Sequence, residues 1–148
     1  MVTYRIPKDE FEKIYSTVPR LCVDVIIQTD KGVLLSKRDI PPAKGKWHIP
    51  GGTVFFEETL EQATKRIAKD ELGVDIKPIK ILGILEYSTK EEMFGKPVSV
   101  VFLAKIASGS LKPDEQTTKI DFFENLPENI ILDQKRFIEA NLARFKIR

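Results

Sequence analysis

Gly51-Gly52, Glu58, Arg66, Asp70, Glu71, Gly73 and Val74 stand at spacings that could do chemistry together. The pattern is Gly52-x5-Glu58-x7-Arg66, closed by Asp70-Glu71-Leu72-Gly73-Val74. Matching Gly52, Glu58, Arg66, Glu71 and Gly73 by chance, at about 5–7 % each, has odds of roughly one in a million per start position. The set is therefore read as a motif. Paired glycines let the backbone approach a ligand closely and leave a carbonyl free to face a cation. A helix after them puts Arg66 and Asp70 one turn apart, where they can pair, and Ile67 and Glu71 on the neighbouring stripe. A carboxylate with a backbone carbonyl is a hard oxygen site. It suits Mg²⁺ carrying several waters and substrate phosphates.

The segment resembles the Nudix box, Gly-x5-Glu-x7-Arg-Glu-U-x-Glu-Glu-x-Gly-U with U aliphatic. Gly52, Glu58, Arg66, Glu71, Gly73 and Val74 match it. Asp70 stands for a Glu. Ile67 stands for the Glu after the Arg, a metal-binding carboxylate in most of the family. The resemblance implies an α+β fold, an α/β/α sandwich with a mixed sheet between helices, with residues 1–148 as one Nudix hydrolase domain. It also implies Mg²⁺-dependent hydrolysis of a nucleoside diphosphate joined to another group.

A longer resemblance, to the GDP-mannose mannosyl hydrolases within that family, runs along most of the chain. It includes Pro19, the strand with Asp24, Leu34-Leu35-Ser36-Lys37-Arg38, Pro42-Ala43-Lys44-Gly45-Lys46-Trp47, Pro50-Gly51-Gly52 and Pro113-Asp114-Glu115-Gln116. That subfamily also lacks the Glu at position 67. Its reaction has water attack the sugar C1 and releases nucleoside diphosphate and sugar. The resemblance implies a metal shell of the Gly51 carbonyl, Glu71 and Gln116. Asp24, Arg38 and Arg66 then contact substrate or organise the site, and the protein is a homodimer. Thr117 replaces the subfamily's general-base His, and Thr53 replaces an Arg. Asp114 and Glu115, beside Gln116, are then the candidate catalytic carboxylates, because a hydroxyl does not hold a proton reversibly near neutral pH. A site with one carboxylate fewer should hold fewer Mg²⁺ ions, which favours departure of an intact diphosphate from a sugar carbon. Two alternatives stay open: a pyrophosphatase splitting P–O–P, and a silent domain that senses a nucleotide.

The elements that must position these residues follow from periodicity. Asp9 to Val18 reads as a helix closed by Pro19, and Arg20 to Gln28 as an alternating apolar strand. Thr29-Asp30-Lys31-Gly32 turns the chain into Val33-Leu34-Leu35. Asp39 to Lys46 is a loop, and Trp47-His48-Ile49 a short extended piece ended by Pro50-Gly51-Gly52. Thr59 to Leu72 is the clearest helix, with Leu60, Ala63, Ile67 and Ala68 as its apolar stripe and Gly73 as its C′ residue. Lys77–Tyr87 and Pro97–Ile106 read as strands, the second apolar on both faces and so covered on both sides. Ala107 to Thr118 is a polar loop. Ile120–Phe123 is a last strand and Leu132–Phe145 a C-terminal helix. Asp24, an acid in an apolar strand, must be at a strand end or paired, with Arg38 as a structural partner or with substrate. Trp47 is read as core or pocket wall, with purine stacking as its substrate role. His48 is read as structural.

Composition narrows the function classes. Of 148 residues, 42 % are hydrophobic and 31 % charged, and the net charge is only +2. That balance lacks the basic excess of a nucleic-acid binder. The longest apolar run, Val98 to Ala104, is too short to span a bilayer. One cysteine, Cys22, forbids an intrachain disulfide and fits a reducing, cytoplasmic setting.

Overall fold

Alternating apolar residues after Pro19 produce the strand around which the protein is built. The computed structural model describes residues 5–41, 43–88, 94–113 and 117–145. In it, β1 (Arg20–Thr29) lies parallel to β6 (Pro97–Gly109), with Arg20 opposite Pro97 and Ile27 opposite Ala104. β1 turns through Thr29 and Gly32 into β2 (Gly32–Arg38). β3 (Trp47–His48) and β7 (Thr117–Phe123) flank β2, and β5 (Val74–Glu86) pairs antiparallel with β6. Among the described residues seven strands form one mixed sheet in the order β3-β2-β1-β6-β5. β4 (Gly51–Thr53) pairs with β1, and β7 with β2.

Helices cover both faces. On one side Ala63 and Ile67 of α2 (Leu60–Ile67) pack on Val23, Val100 and Phe102. Ala68 and Leu72, just beyond it, pack on Val25, Ile27 and Ala104. On the other side Ile138 of α3 (Leu132–Phe145) joins Ile26, Leu82, Val101 and Leu103. The middle of β6 is thus buried on both faces, as its apolar run Val100–Ala104 predicts. The result is the expected α/β/α sandwich. No helix among the described residues is long and apolar enough to cross a membrane.

Several boundaries differ from the sequence reading for local reasons. The first helix, α1, covers only Lys8–Tyr15, because the Ser16 and Thr17 hydroxyls fold back onto the Lys13 and Ile14 carbonyls. Gly51 and Gly52 do not end a strand but form β4, paired to β1. β5 starts at Val74 rather than Lys77, carried by pairing with Gly109 and Ser108. Thr117 and Thr118 belong to β7 rather than to the loop.

The Thr59–Leu72 helix is two structures in series. Thr59 caps it through a reciprocal pair with Gln62, each side chain bonding the other's backbone. After Ile67 the chain widens into a π turn, Ala68–Leu72, before Gly73 closes it at φ 74°.

Candidate functional site

β4 lies against the middle of β1, with Gly51 opposite Asp24 and Thr53 opposite Cys22. A Cβ at position 51 would collide with Asp24 Oδ1 and stand 2.7 Å from the Val23 carbonyl oxygen. Glycine is therefore required there to let backbone and carboxylate share one place. Gly52 has room, its missing Cβ falling 3.5 Å from Ile67 Cδ1.

These strands and the π turn wall a cleft of about 830 Å³. Gly51, Gly52, Asp24, Arg38, Arg66 and Glu71 all line it, as the motif requires. So does His48, whose Nδ1 lies 2.9 Å from the Ile49 carbonyl oxygen. A smaller basic cleft of about 340 Å³, lined by Lys37, Lys44 and Lys119, shares Arg38 with the main one.

Asp24 is buried, 4 % exposed, in mid-strand. Its partner is not Arg38. Tyr87 Oη donates to Asp24 Oδ2 at 2.9 Å, Gln134 Nε2 donates to Tyr87 Oη at 2.8 Å, and the Ile49 amide donates to Gln134 Oε1 at 2.7 Å. This chain ties β1, β5, α3 and the segment before β4 into one polar path. Burial pushes the Asp24 carboxyl up to about 6, opposed by hydrogen bonds from Ser99 and Tyr87 and by the charge of Arg20. Burial, and then the Asp24 charge, push the Tyr87 phenol well above its ordinary range.

Arg66 pairs chiefly with Glu58, not with Asp70 as the helical spacing suggests. Its Nε lies 2.6 Å from Glu58 Oε2, while Asp70 is 4.0 Å away, exposed, and shared with Arg5. A second Arg66 nitrogen reaches Glu58 Oε1 and the Thr53 carbonyl, and the guanidinium stacks 3.7 Å over the Phe55 ring. Glu58 also accepts the Phe55 amide. Arg66 therefore braces the loop after β4 to α2 while presenting one side to the cleft. Burial works to raise the Glu58 carboxyl, but Arg66 and the Phe55 amide together hold it below its ordinary range. Glu58 therefore contributes stability that is present above the unfolded carboxylate range of about 4.3 and is lost as pH falls through its lower folded value. Glu58→Gln should lower stability at pH 7 by about 3 kcal/mol. The gap from wild type should narrow below pH 4, as read by denaturant melts across pH.

Glu71 and Ile67, expected on one stripe, part company. Ile67 is 2 % exposed in the core, whereas Glu71 reaches the cleft. The π turn between them breaks the α phase that would superpose them. Trp47 leaves the set of substrate contacts. It is 9 % exposed in the core, edge-on to Phe123 at 4.8 Å, and does not line the cleft. Gly73 serves the helix end. Asp114, Glu115 and Gln116 lie outside the described residues.

Three acids line the wall, Glu12, Asp24 and Glu71; Glu71 is the one that belongs to the motif, and the Gly51 backbone lines the same wall. No group of three or more His, Cys, Asp or Glu poised to hold a metal occurs among the described residues. Hard oxygen donors in such small number fit a divalent cation that keeps waters and takes further ligands from a phosphate. Arg20, Tyr87 and Gln134 are site residues that sequence reasoning missed. The only signal was Arg20 itself, a cation opening an apolar strand.

A family model described as the NUDIX domain matches residues 18–143. The low-salt glycan biosynthesis protein Agl8 of Haloferax volcanii is 38 % identical, covering 93 % of this chain and 92 % of its own. An ADP-ribose pyrophosphatase of Methanocaldococcus jannaschii is 35 % identical, over 82 % of this chain and 72 % of its own. The crystal structure of a MutT NUDIX hydrolase from Burkholderia pseudomallei matches with a TM-score of 0.75 at 27 % identity, covering 82 % of this chain and 97 % of that one.

Proposed function

Since the chain belongs to the NUDIX family, we propose that it hydrolyses a nucleoside diphosphate joined to a sugar, releasing nucleoside diphosphate and free sugar. The observation that carries this reading is the single motif carboxylate, Glu71, at the cleft, with Ile67 buried where a second would stand. Glu71, the Gly51 carbonyl and Gln116 would hold Mg²⁺. Bound there, the ion would neutralise the charge of a diphosphate leaving group.

The chain's own residues do the rest. Arg38 lines both clefts and offers a cation to the phosphates. Arg66, held by Glu58, keeps the loop after the glycines in place. Asp114 or Glu115 takes the proton of the attacking water. The cleft volume is of the size that encloses a nucleotide-sized ligand. The relative named for glycan biosynthesis agrees with a sugar beyond the diphosphate. The homodimer is part of the same proposal. Edge strand β5, with Ile79, Ile81 and Ile84 exposed, supports it, and light scattering of the eluted protein tests it.

A second reading, cleavage of P–O–P, is favoured by the relative named an ADP-ribose pyrophosphatase. Hydrolysis of a panel of nucleoside diphosphate sugars in ¹⁸O-water with Mg²⁺ separates the two. Label in the sugar is expected. Label confined to phosphate products moves the protein to the second reading. Nucleotide binding without turnover makes it a sensor.

A further inference from the structure

Two arginines on the cleft wall differ in how their charge is met. The charge of Arg66 is matched by Glu58 at 2.6 Å. Among the described residues Arg20 has no such partner. It is 7 % exposed and lines the same cleft at the mouth of β1. One terminal nitrogen donates to Thr53 Oγ1 at 3.0 Å and to Cys22 Sγ at 3.3 Å, and the other donates to the Phe94 carbonyl at 3.0 Å. Its guanidinium stands 5.7 Å from the Phe11 ring centroid. Its Nε is buried with no hydrogen-bond partner. Among the described residues no carboxylate lies within 4.0 Å of it.

A hydroxyl, a thiol, a carbonyl and a ring orient a cation but do not neutralise it. The Asp24 carboxyl, further along β1, feels its charge without bonding it, and a buried cation whose bonded partners are all neutral costs stability. A fold that retains one on the wall of a cleft has a cationic receptor held ready, with its geometry fixed by four separate elements. The cleft holds Glu71 and the Gly51 backbone on the same wall, so the anion that reaches Arg20 is one that the site as a whole can take.

We propose that Arg20 is an anion-binding residue of the cleft, setting its guanidinium against a phosphate oxygen of the nucleoside diphosphate. This rests on the hydrolase reading above and adds to it the residue that grips the diphosphate from the β1 side. Thr53 then has a defined task. Its hydroxyl aims the guanidinium, and it acts through Arg20 rather than on substrate.

The test is calorimetric binding of three probes with Mg²⁺ present: a nucleoside diphosphate, inorganic pyrophosphate and the bare nucleoside. Arg20→Met, which fills similar space without charge, should weaken the first two by roughly 10- to 100-fold, the range for a lost charge-assisted hydrogen bond. Nucleoside binding should not change. The melting temperature of the free variant should hold or rise, because an unmatched buried charge is gone. Arg20→Lys should also bind the diphosphate more weakly, because an ammonium lacks the fork. Should the Met variant not fold, the Lys variant decides by the same measurement. Unchanged diphosphate affinity in either folded variant overturns the proposal, as does an equal loss for the bare nucleoside. Wild-type protein that binds nucleoside diphosphate but turns over no sugar nucleotide would sink the hydrolase reading and leave the Arg20 contact to be read by binding alone. Wild-type turnover that persists unaltered in Arg20→Met would sink only the Arg20 contact.

Discussion

Glu71→Gln is expected to lower Mg²⁺-dependent turnover by about 10³-fold, the loss of several kcal/mol of stabilisation of a leaving diphosphate. It should also remove saturable Mg²⁺ binding. The substitution keeps shape and takes away only the charge. Glu71 is half-buried on the cleft wall, outside the clusters that hold α2 to the sheet. Stability should therefore move by less than 1 kcal/mol, a shift of about 2–4 °C or less in melting temperature. Metal titration by calorimetry, melting curves and a product assay on the same preparation separate the three effects. Full turnover in the variant would remove Glu71 as the metal's carboxylate. Lost turnover with intact metal binding would place Glu71 on the substrate instead.

Restoring the family's carboxylate at position 67 should fail, and by a large margin. The intuitive result of Ile67→Glu is a second metal ligand and a faster enzyme. The structure places this side chain against Val23, Ala63, Val100 and Phe102 with 2 % of its surface exposed. A carboxylate there loses its water among apolar side chains, and Arg66 is already held by Glu58. The expected cost is about 4 kcal/mol, combining lost apolar burial with a poorly paired buried charge. Denaturant unfolding at pH 7 reads it, and part of the loss should return at acid pH as the new carboxyl takes up a proton. A variant as stable as wild type with higher Mg²⁺ affinity would show that Ile67 swings into the cleft.

What was legible in the sequence was what local spacing encodes. The alternation of β1, the two-sided apolar run of β6 and the Gly73 stop of the helix each have their cause within a dozen residues. Gly51 and Glu71 were legible for a similar reason, because the motif is short. The Tyr87–Asp24 and Gln134–Tyr87 bonds join residues far apart in the chain, and no periodicity announces them. Asp24 could be recognised as an acid in an apolar strand, but its true partners, Ser99 and Tyr87, lie far along the chain, and nothing local singles them out over Arg38. Trp47 sits between a loop and the glycines, a context that reads as a pocket wall. Its burial comes from Phe123 and Ile130, which arrive much later in the chain. The error over Ile67 and Glu71 came from assuming one helical phase where a π turn changes it.

The parallel pairing of β1 with β6 has a consequence for how the protein comes into being. Arg20 meets Pro97 only after the whole of β2, β3, β4, α2 and β5 has been threaded between them. Closing so long a segment is entropically slow, and pairings of this kind dominate the folding time of mixed α/β chains. Local pieces such as the β1–β2 turn and the capped α2 can form early, in microseconds. The cleft cannot, because Arg20 and Asp24 ride on β1, Glu71 on the turn beyond α2 and Tyr87 at the end of β5. They converge only when the slowest contact is made. During refolding, recovery of nucleotide binding should therefore lag behind recovery of helical signal. An incompletely folded chain, however helical, would have no capacity to bind nucleotide.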